Sequence, residues 1–357
     1  MALQHRSYHD FDLDSEQGSY EGFGHRRWWA FIPSPLVILV AMVIVGVMIL
    51  CGQDRDKSRQ ARDNNMLPYA HDSIVTCLAF SPDGKNLLSG SYDSTVRLWD
   101  VAGRKTLGVV ARQDSIILGL AVAPDGKSFS TSGRDAALSI WDTAQGKHSD
   151  LVSRGEVIRC LAYSPDGKIL ASSLKDVDVR LWDVASKRAL CDLKGHTDQI
   201  SCLAFSQDGK YLATGSQDLT LRLWDVAAHR EIARLPLGAK VRCLAFSSDN
   251  KTLAIGCSER RSVELWDWKT QVELTRYKSQ KGGVTVLAYS PDGTLLASAD
   301  EEGTLQLWKT DSGQRVENIP SDKGWIKSIA FSPDGKLLAS GSGDGSIRLW
   351  PTDSWTI

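Results

Sequence analysis

The chain has 357 residues, 42% of them hydrophobic and 24% charged, with a formal net charge of −1. This near-neutral balance argues against nucleic acid as a partner and against a protein built around a strongly charged ligand. The length would suit two or three average domains unless the chain repeats itself, and repetition is the first thing to look for.

Residues 1–27 are polar, with Asp10, Asp12, Asp14, Glu16 and Glu21 close together and glycines between them. They offer little to bury and read as a disordered acidic tail. The next 26 residues, Trp28 to Gln53, carry no formal charge, and Leu36 to Cys51 is an unbroken apolar stretch. Ser34 suits a helix N-cap and Pro35 a first helical position. A helix over 35–52 at about 1.5 Å per residue would cover about 27 Å, close to the hydrocarbon thickness of a bilayer. Trp28, Trp29 and Phe31 would lie at the interface beside Arg26 and Arg27. The reading is a single transmembrane helix within 28–53. A cleaved signal peptide is the main alternative, and the length of the apolar run and of the tail before it weigh against that. Residues 54–64 form a highly charged link.

From Asn65 the chain repeats. Seven tryptophans, Trp99, Trp141, Trp182, Trp224, Trp266, Trp308 and Trp350, are spaced by 42, 41, 42, 42, 42 and 42 residues. Each closes an apolar–polar alternation typical of strands, as in ISCLAFSQDGKYLATGSQDLTLRLWD from Ile200 to Asp225. Between the first two runs stand turn sequences: SPDG at 81–84, 164–167, 290–293 and 332–335, and APDG at 123–126. Proline presets the first turn position, Asp bonds to nearby backbone and Gly accepts the left-handed conformation. A period near 42 with this content is one four-stranded propeller blade per repeat.

These residues resemble the WD-repeat family over Asn65 to Trp350, 286 of the 357 residues. Five WD dipeptides are intact, at 99–100, 141–142, 182–183, 224–225 and 266–267, and the last two repeats read Trp308–Lys309 and Trp350–Pro351. The expected fold is all-β: a seven-bladed β-propeller of four-stranded antiparallel blades over 65–357, preceded by the single transmembrane helix. Only seven residues follow Trp350, so the last blade needs its outer strand from elsewhere. NMLPYAH, Asn65 to His71, has the phase of LCDLKGH, Leu190 to His196, each ending 28 residues before its tryptophan. The expectation is that Met66 to Tyr69 closes the seventh blade, with Ser354 to Ile357 as the competing source. An unpaired sheet edge invites aggregation, and Pro68 is tolerable on an outermost strand.

His71, Ser89, Asp93 and Trp99 in the first repeat, and His196, Thr214, Asp218 and Trp224 in the fourth, look like hydrolase triads with a tryptophan added. The resemblance implies another role: Asp orients His, His bonds the hydroxyl, and the hydroxyl meets the indole. Such a network pairs buried polar groups. No nucleophile elbow, Walker motif, HExxH or calcium loop accompanies them, so no catalytic, cofactor-binding or metal-ligating residue and no cofactor is expected. The other repeats are depleted: Gln113 stands at the histidine place of the second, Ile255 at the hydroxyl place of the fifth, and Glu302 at the Asp place of the sixth. Thr131 and Asp135, Ser172 and Asp176, and Ser340 and Asp344 remain elsewhere.

Cys77, Cys160, Cys202 and Cys243 share one repeat position, which matches neither a redox pair nor a zinc knuckle. They read as small buried residues in separate layers, and free thiols favour a reducing compartment. Arg55, Lys57, Arg59 and Arg62 follow the apolar run. Both signals place the propeller in the cytoplasm and the tail outside.

The function expected is a membrane-anchored scaffold or assembly module. It would meet an unidentified protein or peptide, such as another membrane protein, and the bilayer through 35–52, but no nucleic acid. The alternative is an enzyme or small-ligand propeller using a pocket at the channel mouth. The resemblance implies a binding face formed by the loops into the first strand and between the second and third strands. Carried over by register, it includes Ile74, Ile116, Val157 and Trp325 on one side, and Tyr92, Arg134 and Lys175 on the other.

Overall fold

A computed structural model describes residues 65–68, 70–135, 137–143, 146–152, 157–174, 177–278, 281–320 and 324–355. The acidic tail, the apolar run with its proposed span, the charged link, Tyr69, Lys175 and Asp176 lie outside the described residues. Among the described residues no helix is long and apolar enough to cross a membrane.

The described chain forms seven antiparallel sheets in sequence order, six of four strands and one of three. The strand patterns seen in the sequence produce them directly. In the fourth blade the strands are Ile200–Phe205, Tyr211–Ser216, Thr220–Asp225 and Arg230–Pro236. Each pairs only with its neighbours in the chain. The first strands of successive blades pack against one another around the whole ring, including the seventh against the first. They therefore form the inner wall, and the fourth strands the outside of the ring.

The turns after the first strands work as expected. Ser81 Oγ donates to Asp83 Oδ1 at 2.6 Å, the Lys85 amide donates to the same oxygen, and the Gly84 amide closes onto Ser81 O. Gly84 has φ of 70°, the left-handed value that favours glycine. In the fifth blade the turn is SSDN, and Asn250 takes φ of 57° instead. A second glycine position answers to packing. A Cβ on Gly215 would come within 2.4 Å of Val241 in the next blade, so only glycine lets adjacent blades approach this closely.

The seventh blade, Ile326–Phe331, Leu337–Ser342 and Ile347–Pro351, is completed by the N-terminal segment. Met66 bridges Arg348 antiparallel, the Leu67 amide donates to Ile347 O, the Leu349 amide to Asn65 O, and the His71 amide to Gly345 O. Leu67 is buried in a cluster that joins Val75, Leu78 and Trp99 of the first blade to Ile347 and Leu349 of the seventh. Pro68 is exposed, as an outermost strand allows. The described part of the competing segment does not supply a strand: Asp353–Trp355 is a short 3-10 turn, and Trp355 packs into the core beside Trp350.

Candidate protein-binding face

The two complete networks form as directional relays. In the fourth blade Trp224 Nε1 donates to Thr214 Oγ1 at 2.9 Å. Thr214 Oγ1 lies 2.8 Å from His196 Nε2, and His196 Nδ1 lies 2.8 Å from Asp218 Oδ2. A neutral imidazole with its proton on Nδ1 satisfies every member: indole to hydroxyl, hydroxyl to imidazole, imidazole to carboxylate. Asp218 also accepts from the Thr197 amide and the Thr220 hydroxyl, which ties the loop before the first strand to the turn before the third. Burial opposes ionisation of Asp218, but the hydrogen bonds from Thr220 and His196 and the charge of His196 outweigh it and hold the pKa to about 2. Burial pushes the His196 imidazole down against the pull of Asp218. The first blade repeats the geometry: His71 sits 2.7 Å from both Asp93 Oδ2 and Ser89 Oγ, and Trp99 Nε1 donates to Ser89 Oγ at 2.9 Å. Ser89 and Thr214 are fully buried beneath their tryptophans. No substrate carbonyl can reach either hydroxyl, so the resemblance to a hydrolase triad ends at residue types.

The depleted blades show what the sequence reading missed. In the sixth, Glu302 is exposed and does not take the Asp role assigned to it. Asp300, two residues earlier and fully buried, accepts from the Lys281 and Gly282 amides with Oδ2 and from the Glu302 and Thr304 amides with Oδ1. It ties loop to turn without a histidine. In the fifth, Glu264 on the third strand replaces the missing hydroxyl and accepts from Trp266 Nε1 at 3.3 Å. Its other oxygen meets Arg260 at 2.5 Å and Arg276 at 3.3 Å. Arg260 also donates to Leu237 O in the preceding loop, which puts a guanidinium in the histidine's role. The extra residue in this turn supplies that arginine. In the second blade Trp141 Nε1 still donates to Thr131, while the buried amide of Gln113 has no partner among the described residues.

All six described cysteines are free. The repeated thiols sit at the seams between blades: Cys160 Sγ lies 3.8 Å from Ile200 O and Cys243 Sγ 4.0 Å from Val284 O, each in the following blade. Burial pushes Cys77 up to about 12 and raises Cys202 well above its usual range, with Cys243 and Cys160 adding to the latter. Protonated thiols of this kind are poor nucleophiles and poor metal ligands. Among the described residues no group of three or more His, Cys, Asp or Glu could hold a metal ion.

The two series assigned to the binding face meet at one end of the blades. The Tyr92 amide donates to Ile74 O, Arg134 to Ile116 O and Gly343 to Trp325 O, with equivalent bonds in the fourth, fifth and sixth blades. Arg134 is exposed, while Ile74, Tyr92, Ile116, Val157 and Trp325 are each partly exposed. The ring of Trp325 lies over Gly343, where a Cβ would come within 2.3 Å of it. Lys327 Nζ sits 3.9 Å from the ring centroid. Trp325 thus stacks on its own blade with part of its surface open, and its neighbour is a cation. Lys175, the remaining member of the face, lies outside the described residues.

A closed ring of seven tryptophan-sealed blades defines a β-propeller of the WD-repeat class. The chain belongs to this family. Residues 157–357, more than half of it, match the family model described as the IFT122 first beta-propeller, and residues 65–100 and 105–142 match WD domain, G-beta repeat. WD repeat-containing protein 18 of Homo sapiens is 43% identical over 60 residues, which are 17% of this chain and 14% of that protein. Its Danio rerio counterpart is 44% identical over 57 residues, 16% of this chain and 13% of that protein. The Notchless protein homolog of Arabidopsis thaliana is 64% identical over 31 residues, 9% of this chain and 7% of that protein. The chain thus spans only a small part of the relatives it matches. WD-repeat propellers generally serve as scaffolds that bind other proteins.

Proposed function

We propose that this chain is a non-catalytic, membrane-anchored scaffold whose propeller presents the rim around Trp325 to a protein or peptide. The observation that carries this reading is a partly exposed tryptophan capped by a lysine, at the end of the ring where Ile74, Tyr92 and Ile116 are also partly open. Aromatic side chains in such settings supply most of the energy of protein interfaces. The apolar run over 35–52 supports anchoring in a bilayer. The free cysteines and the basic residues after that run support a cytoplasmic propeller. Tethering would raise the effective concentration of the face toward other membrane proteins.

Two measurements test this. Trp325→Ala and Tyr92→Ala should each abolish co-purification of the partner while leaving the melting transition nearly unchanged. Retention in both would move the site elsewhere. Protease treatment of intact cells should spare a C-terminal tag and digest an N-terminal one, and the reverse pattern would overturn the orientation.

A further inference from the structure

The inner wall has a position where the chemistry of the channel mouth is set. In six blades the first strand carries a bulge at its second residue: Thr76, Leu118, Ser201, Arg242, Thr285 and Lys327. Where that residue is threonine, its side chain reaches the seam with the next blade. Thr76 donates to Gly90 O and to Ile117 O of the second blade, and Thr285 to Ala299 O and to Ile326 O of the seventh. In the fifth and seventh blades the same position is a cation.

Arg242 donates through Nε to Ser258 Oγ at 2.8 Å and through Nη2 to Glu301 Oε1 of the sixth blade at 3.1 Å. Both partners of that ion pair keep 39% of their side-chain surface. Lys327 reaches the same neighbourhood from the seventh blade. Burial pushes its ammonium down, Arg242 adds to this, and only Glu301 opposes it. Among the described residues Lys327 has no ion pair, and the face of Trp325 is its contact. Arg242 and Lys327 thus hold the same register position in the two blades that flank the sixth, whose carboxylate Glu301 is committed to Arg242. The surplus positive charge is partly shielded from water and lies beside an apolar ring. A planar anion on a short aliphatic stem fits this arrangement.

We infer that this mouth reads an acidic side chain: a Glu or Asp of the partner segment enters between Lys327 and Arg242, takes the place of Glu301 on Arg242, and lays its stem on Trp325. The inference rests on the proposed use of the Trp325 rim. In it Glu301 acts as an internal substitute that keeps the cations apart until a partner arrives, so its removal should favour binding rather than weaken it.

The test uses the full chain in non-ionic detergent and a fluorescein-labelled hexaglutamate peptide read by anisotropy, with hexaglutamine as control. Hexaglutamate should bind and hexaglutamine should not. Lys327→Met, which keeps the stem over Trp325, should weaken binding about ten-fold, and Glu301→Gln should tighten it about three-fold. Melting curves of both variants should overlay the parent, which separates a lost contact from a lost fold. Unchanged binding in Lys327→Met, weaker binding in Glu301→Gln, or equal binding of hexaglutamine would overturn the inference. So would displacement of the peptide by inorganic phosphate at constant ionic strength, since that marks a general anion site. If hexaglutamate ignores Lys327 while Trp325→Ala still abolishes partner co-purification, the carboxylate reading fails and the rim reading stands. If Trp325→Ala retains the partner while hexaglutamate binding depends on Lys327 and Glu301, the rim reading fails and the acidic pocket stands.

Discussion

The fourth and fifth blades sit side by side and solve one problem with different chemistry. Each must pair a buried indole and tie the loop before its first strand to the turn before its third. The fourth uses a neutral relay, Trp224 to Thr214 to His196, ending on Asp218, whose side chain is 3% exposed. The fifth uses charge: Glu264, buried, joins Trp266 to Arg260 and Arg276, and Arg260 reaches back to Leu237 O. The fifth also recruits Trp268, which packs on Tyr211 of the fourth blade and donates to Asn250 O. The requirement retained across the two blades is that the buried indole be paired and the loop tied to the turn, while the residue types that meet it are free to vary. The two solutions should also fail differently. An ion pair with one partner removed leaves an uncompensated charge, whereas a neutral relay loses hydrogen bonds.

The largest effect expected follows from that difference. Glu264→Leu would take the carboxylate from Arg260, leave Arg276 to Glu273 alone and leave the Trp266 indole unpaired. A destabilisation of about 3 kcal/mol is expected, below the upper range for buried pairs because both guanidinium groups are about one-third exposed and can rehydrate. Glu264→Gln, which keeps an acceptor, should recover part of the loss, and urea unfolding measures both. His196→Ala should cost less, about 2 kcal/mol, because it opens a neutral network and a small cavity. If His196→Ala proves the more damaging, the charged fifth-blade network contributes less than the fourth-blade relay. Smaller again is the indole itself. Trp224→Phe should lose about 1–2 kcal/mol and Trp266→Phe less than about 1 kcal/mol, since the first makes a 2.9 Å bond in full burial and the second a 3.3 Å bond at a partly exposed site.

This comparison also explains what could be read from the chain beforehand. The period, the turns, the closing strand and both complete relays were legible because each is local grammar, repeated at a fixed spacing. His71 matched His196 in phase, and that match, with the short stretch after Trp350, placed the N-terminal segment on the seventh blade. The substitutes were not legible because they break register. Alignment by residue type puts Glu302 at the Asp place of the sixth blade, yet the shorter Asp300 at the strand end is the one that reaches the loop amides. Glu264 stands where five other third strands carry Arg or Gln (Arg97, Arg180, Arg222, Gln306 and Arg348), and nothing in a single repeat says that it faces inward. A usable signal was present: the blade lacking its hydroxyl is also the one with an extra residue and an arginine four positions before an acid. Register brings Tyr92 to Ile74, Arg134 to Ile116 and Gly343 to Trp325, whereas the seating of Lys327 against the Trp325 ring was not read from the sequence.

The smallest effect expected is that of mild acid, and it bears most directly on the neutral nature of the fourth-blade relay. His196 has its pKa lowered by burial, so the unfolded chain takes up a proton at a higher pH than the folded one. Stability from this group is complete above the unfolded value near 6.5 and is lost as pH falls from there toward the folded value. Asp218, held to about 2, acts in the same direction at lower pH: its contribution is present above the ordinary carboxylate range and lost as pH falls through the folded value. Protonated imidazole would present an N–H to Thr214, whose hydroxyl proton points the other way in the relay, so the chain of donors would have to reverse. Amide hydrogen exchange compared at pH 7 and pH 5 should therefore show protection falling in the fourth-blade segments Thr197–Gln199 and Gln217–Thr220. The fifth-blade turn at Ser258–Ser262 has no histidine in its network and should change less. Equal loss in the two turns would mean that acid acts on the ring as a whole, and that the distinction between relay and ion pair carries no weight in solution.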